Sequence, residues 1–439
     1  MTRVFLKIII FLTATIVTVV VGSQTCPGVS PKNCSKHVIM SPCPSTIPTC
    51  SVPYEDLLSA RLEDGNTPRV DLSFPSWINF PLMRQGQRFA KNNWFSFSLA
   101  AALGRAANMN NADIRDVAMF TKTMSNSPIG CAHILASFGA KAMTWFDDLQ
   151  PSTQPVNPEK SDFLQSVNRI RWIHVKVARD IVATQRITGN NHIVNDSNYE
   201  DVKVNDVVWT AFHQDLTASN IPAEQREPIP PILFEGNDSI PFFNQHSLAF
   251  FQFNAFAYPI IMGERFGIKA TDQDLWAFNH LSAVIGYTFG LDDKFNLALQ
   301  PEFESLKEYY WKFFNRTILP SLFKINKRTK VTIENILEGT RINTPAWTLQ
   351  LYLYRVATML ANVPAPSLAS LFTDQDKFHD NNLRNNVLPN LLKSATFRTQ
   401  TNMKAINDLM KIGAKYYGAN YSTQYRRARY AFLTPIQNE

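Results

Sequence analysis

Glycine is scarce in this 439-residue sequence, with 16 glycines against 31 phenylalanines. A β-sandwich needs a turn signal about every 8–12 residues, so the shortage favours long helices. Nucleotide, hydrolase and zinc-protease signatures are missing: there is no GxGxxG, GxxxxGK[ST], GxSxG, HExxH or CxxC. No Glu-x-x-His pair occurs, which argues against a bundle di-iron site. Charge is sparse as well. Only 18% of residues are charged and the formal balance is +7, from which Arg3 and Lys7 would take two if the N-terminus is removed. The basic residues are scattered, and the densest cluster, Arg426, Arg427 and Arg429, reads as a solvated helix end rather than a nucleic-acid patch. After residue 21 the longest uncharged run, Ser239 to Gly263, carries Asn244, Gln245, His246, Gln252, Asn254 and two prolines, so no later segment is expected to span a membrane.

What is present begins with an export pattern. Arg3 and Lys7 precede an uncharged apolar run from Ile8 to Val21, and Val21-Gly22-Ser23 offers a cleavage site before Gln24. Residues 1–23 therefore read as a signal peptide; extended back to Val4 the run approaches spanning length, so an uncleaved anchor is the alternative. Cys26, Cys34, Cys43 and Cys50 crowd into the Pro- and Ser-rich 24–52 segment and read as two disulfides with three possible connectivities. A metal knuckle is the competing reading, disfavoured by the missing CxxC. Cys131 is left over as a buried thiol. Five Asn-x-Ser/Thr sequons, at Asn33, Asn195, Asn237, Asn315 and Asn420, suit a glycosylated protein of the secretory route, either secreted or retained in the endoplasmic-reticulum lumen.

Residues 53–79 look irregular because Pro53, Pro68 and Pro75 interrupt them, and Pro81 limits any helix there. Apolar residues then recur at helical steps, predicting one large all-α domain over 80–420 and a tail from 421 to 439. Asn111 is placed to cap one helix, Thr271 to Asp274 to open another as a capping box, and Gly290 to close it. Three stretches, 163–182, 245–257 and 272–288, are expected to be central buried helices. Four histidines fall on or near apolar faces: His133, His174, His246 and His280. A core histidine with a satisfied hydrogen bond is the plain reading of each. His174 differs in having Arg171 one helical step before it and Arg179 just over a turn after, the surroundings that a haem iron and its propionates require.

The stretch Arg169-Ile170-Arg171-Trp172-Ile173-His174-Val175-Lys176-Val177-Ala178-Arg179 resembles the Arg-x-x-His helix of the rubber oxygenases (latex clearing proteins), whose wider family includes the fungal endoplasmic-reticulum oxygenase mpaB. Phe243-Asn244-Gln245-His246-Ser247-Leu248-Ala249 is similar to that family's Asn-Gln-x-Asp-Leu segment, with Ser247 in place of Asp. Trp276 to Leu291 resembles its Trp-Arg-x-Ile-Gly-Tyr-x-x-Gly-Ile helix, with Ser282-Ala283 at the Trp-Arg pair. Gly86-Gln87-Arg88-Phe89 looks like its opening helix, so the resemblance spans roughly 80 to 400.

The resemblance implies an all-α fold with a globin-like haem pocket, His174 as the proximal ligand of haem b, and Arg171 and Arg179 beside the cofactor. It also implies an apolar, isoprenoid or lipid-like substrate. Thr144 falls where the family has a pocket threonine, with Lys141 nearby, so these two are the expected catalytic residues. Ala140 and Met143 stand where an arginine and a lysine are expected, and no acidic residue matches near Met124. The alternative to a haem-dependent oxygenase is a secreted binding protein that holds haem or an apolar ligand on the same fold. Membrane contact is expected only if the N-terminal segment stays uncleaved.

Overall fold

The computed structural model describes residues 52–65, 73–121, 127–146, 161–188, 197–227 and 241–418. The expected signal segment, the four clustered cysteines, the 228–231 prolines and the 421–439 tail lie outside them. Among the described residues the chain is all-α, and its one β-type contact is an isolated antiparallel bridge between Asp64 and Asn244. No helix among them is long and apolar enough to cross a membrane.

The principal helices are α1 (Phe80–Asn92), α2 (Trp94–Asn110), α3 (Ala112–Phe120), α4 (Pro128–Phe146), α5 (Asp162–Thr188), α6 (Asp206–Thr217), α7 (Gln245–Met262) and α8 (Asp272–Phe289). They are followed by α9 (Phe303–Phe313), α10 (Lys327–Arg341), α11 (Leu349–Arg355), α12 (Asp374–Asn382) and α13 (Ala395–Tyr417). The start of α1 corrects the expectation that Pro81 would limit a helix. The Asn79 side chain accepts from the Leu82 amide at 3.1 Å, and Pro81 sits in the first turn, where its missing N–H costs nothing. The irregular stretch before it also contains order, because Tyr54–Leu62 winds into a 3-10 helix that buries Tyr54, Leu57 and Ala60.

Helices α7 and α8 form the centre. α7 is apolar on every side, as its Phe250, Phe253 and Phe256 require. α8 opens with the Thr271/Asp274 capping box and stops at Gly290, whose φ of 105° is left-handed. It lies along α1 because Gly86 has no side chain: a Cβ there would stand 2.3 Å from the Ala277 carbonyl oxygen. Phe278 stacks on Phe97 with centroids 4.5 Å apart, and Phe253 stacks on Phe313 at 4.6 Å. Each such burial stabilises by about 1.5–3 kcal/mol. Buried amides tie the 291–300 loop over this centre, since Gln252 donates to the Ser282 carbonyl and to Asn296, while Asn279 donates to the Ala298 carbonyl.

The second layer packs α10 and α13 against both α2 and α4. α5 runs past α4 and α8, but it is not the fully buried helix expected over 163–182. Phe163, Leu164, Val167 and Ile170 are buried, whereas further along Trp172 is 51% exposed and only Ile181 returns to the core. The apolar stripe narrows to one face there, and Lys176 and Asp180 pair in solvent on another. Of the five sequons, Asn315 alone falls among the described residues. It sits half-buried in a π-helical turn, and its Thr317 hydroxyl bonds Tyr54 at 2.7 Å.

Candidate functional site

Three stretches far apart in sequence meet at the N-terminus of α7. Asn244 caps the helix by accepting from the Ser247 amide at 2.8 Å. The next residue, Gln245, is fully buried and works as a joint. Its amide donates to the Asp64 and Gly290 carbonyls, both at 3.0 Å, and its carbonyl accepts from the Asp292 amide at 2.8 Å. On the other side of Gly290 lies Arg171 of α5: a Cβ on that glycine would be 3.2 Å from the Arg171 Nε. The junction therefore unites the three segments singled out in the sequence, from α5, α7 and α8. Asn244 also donates to Asp113 of α3 at 3.3 Å, and Asp113 pairs with Arg61 at 3.0 Å. A carboxylate thus reaches this capping site from another helix, although Ser247 occupies the local acidic position.

His174 of α5 lies beside this junction. Its ring is stacked on Phe243, with centroids 4.3 Å apart and planes at 13°, and stands 6.2 Å from Phe289. Phe243 is held at φ 56°, a region costly for a bulky residue; that backbone presents its ring to the imidazole. Trp145 of α4 packs on the far partner, Phe289, at 5.4 Å and donates to Ser166 of α5 at 3.2 Å. Burial among these rings lowers the His174 pKa to about 4, so the imidazole is neutral at ordinary pH. Neither ring nitrogen makes a hydrogen bond among the described residues. A neutral imidazole of this kind keeps one lone pair available for a metal.

The other expected site residues divide into two groups. Arg171 is half-buried against the α8 cap, while Arg179 is exposed about 140° further round the helix from His174. Thr144 and Lys141 are buried on α4, which packs against α5. The Thr144 hydroxyl donates to the carbonyl of Ala140 in its own helix at 3.1 Å. Burial, reinforced by the nearby Arg169 charge, pushes the Lys141 pKa down to about 8. Of the remaining histidines, His280 and His133 have structural settings, whereas His246 keeps a buried Nδ1 with no hydrogen-bond partner among the described residues. His280 accepts from the Asn79 amide through Nε2 at 2.9 Å, and His133 packs against Tyr416 at 4.5 Å. His246 is buried with Asp113 and Arg61 in reach, and burial lowers its pKa to about 4.

No group of three or more His, Cys, Asp or Glu side chains is placed to hold a metal ion among the described residues. A haem iron asks less of the protein, because the porphyrin fills four positions and one axial side chain suffices. His174, neutral and unbonded in apolar surroundings with Arg171 close by, fits that demand. The aromatic partners were within the sequence but unmarked by any spacing rule, and Asp113 gave no signal because it reaches the site only through tertiary packing. No protein-family model, curated protein or solved structure matches the chain.

Proposed function

We propose that this protein binds haem b through His174 in a globin-like pocket among α5, α7 and α8, and acts as a rubber-oxygenase-like oxidoreductase on an apolar, isoprenoid- or lipid-like substrate. Its place is outside the cell or in the endoplasmic-reticulum lumen, following from the N-terminal apolar run, the clustered cysteines and the sequons. The observation that carries the reading is the neutral imidazole with no hydrogen-bond partner among the described residues, at the point where the three family-like segments converge. When bound, haem would supply dioxygen binding and electron transfer.

The chain's own residues have separable tasks. His174 offers its lone pair, and the Phe243 ring stacked on it, with Phe289 near, holds the imidazole's orientation. Arg171 provides positive charge for a propionate, while Arg179, on another face of α5, reaches such a group only through its long side chain. Thr144 and Lys141 are buried polar groups of the neighbouring helix α4. Purified protein supplied with haem should show a Soret band, and it should consume O₂ when given squalene or a polyisoprenoid. Absence of the band with ample haem would remove the proposal.

One observation favours a second reading, a haem or apolar-ligand carrier without turnover. The Thr144 proton is already committed to the Ala140 carbonyl, and Ala140 and Met143 supply no cation beside it. A Soret band without O₂ consumption on any apolar substrate would select the carrier.

A further inference from the structure

The second layer holds a half-open cavity of about 370 Å³ between α2, α4, α10, α11 and α13, within the range of small-molecule sites. Leu99, Ala136, Ile336 and Leu409 give it apolar walls. Neither His174 nor any residue of its aromatic surround lines it, so the cavity is separate from the haem reading. Into this apolar space α2 brings Arg105. No hydrogen bond or ion pair engages the Arg105 guanidinium among the described residues. The groups that act on it are the phenol of Tyr352 and the thiol of Cys131. Both are neutral, for burial raises each above its ordinary pKa and the Tyr352 hydroxyl donates to the Ala102 carbonyl at 3.1 Å. Arg355, the second cation on the cavity wall, differs in having an acid near: Asp380 stands 4.0 Å from its Nε, which makes no hydrogen bond among the described residues, and its Nη2 donates to the His379 carbonyl.

A guanidinium taken out of water without a carboxylate is costly, and long cationic side chains ordinarily reach solvent or an acid. Arg105 is half-buried on the wall of this half-open, largely apolar cavity and has no acid beside it among the described residues. We propose that the chamber binds a long-chain carboxylate, with the alkyl chain along the leucine and isoleucine walls and the carboxylate on the Arg105 guanidinium. The planar fork of arginine matches a carboxylate with two parallel N–H···O bonds. A neutral chain would leave the charge unanswered, and a cationic head would add repulsion to it.

Calorimetric titration and thermal melting of the full chain with dodecanoate, dodecanol and dodecyltrimethylammonium test this. Dodecanoate should bind and raise Tm, dodecanol should bind at least roughly 30-fold more weakly, and the cationic amphiphile should not bind. Arg105→Met should lower dodecanoate affinity by a similar factor and leave dodecanol affinity unchanged. His174→Ala should leave dodecanoate binding intact. Equal affinity for dodecanoate and dodecanol, no binding of dodecanoate, or loss of its binding in His174→Ala would each overturn the proposal. If Arg105→Met fails to fold, the wild-type series with the three head groups still decides.

Discussion

The seam between α1 and α8 and the junction of α5, α7 and α8 each hold an imidazole pushed to a pKa of about 4 by burial. At the seam, His280 spends its Nε2 lone pair on the Asn79 amide and sets an edge against Trp77 at 5.8 Å. At the junction, His174 lies flat on Phe243 and spends neither nitrogen. Apolar helix faces and depressed pKa values are common to both, so neither property marks a ligand. What separates a structural histidine from a candidate ligand is where its lone pair goes.

The largest effect expected is on haem: His174→Ala should abolish the Soret band and leave the helical circular dichroism signal, while His280→Ala should retain the band. A variant pair that behaves the same way would erase the contrast. His280→Ala should instead lower stability by about 1–3 kcal/mol in urea unfolding, through the lost Asn79 bond and the space left beside Trp77.

Acid should expose what the neutral histidines share. His246 and His280 titrate near 6.5 when unfolded and near 4 when folded. The unfolded chain therefore binds more protons between those values. Their contribution to stability is complete above about pH 6.5 and is lost as pH falls toward 4, by at most about 1.4 kcal/mol per pH unit for each ring. Urea midpoints at pH 7 and pH 5 measure it, and equal midpoints would contradict the burial of these rings. A smaller perturbation sharpens the junction itself. Gly290→Ala forces a left-handed alanine against Arg171 and the Gly65 carbonyl, at a cost of about 1–2 kcal/mol. It should weaken haem binding with His174 untouched, and an unchanged haem affinity would uncouple the α8 cap from the site.

Locally determined structure was legible in the sequence. The Thr271/Asp274 box, the Gly290 stop, the Asn111 cap and the phenylalanine-rich, buried α7 follow from side chains within a few residues of one another. The misread parts depend on distant chain. Pro81 opens α1 because Asn79 caps it, and the outer half of α5 is exposed because only one face finds neighbours. Likewise, His174 could be picked out from its spacing to Arg171, whereas the positive φ of Phe243 and the arrival of Asp113 at Asn244 have no sequence pattern. Arg105 sits in an alanine-rich stretch whose small side chains leave room beside it, a feature that reads as ordinary helix until α10 and α13 are placed around it.

The 3-10 segment and its continuation to Gly65 reset where the working unit begins. Asp64 accepts from Gln245, Arg61 holds Asp113, and the Gln245 side chain ties the end of this strap to the end of α8. A fragment cut at residue 80, where the long helices start, would keep its helices and lose the anchorage of the α7 N-terminus. Protease sensitivity near Phe243 should then rise in that fragment, which makes residues 52–65 a removable latch rather than a spacer.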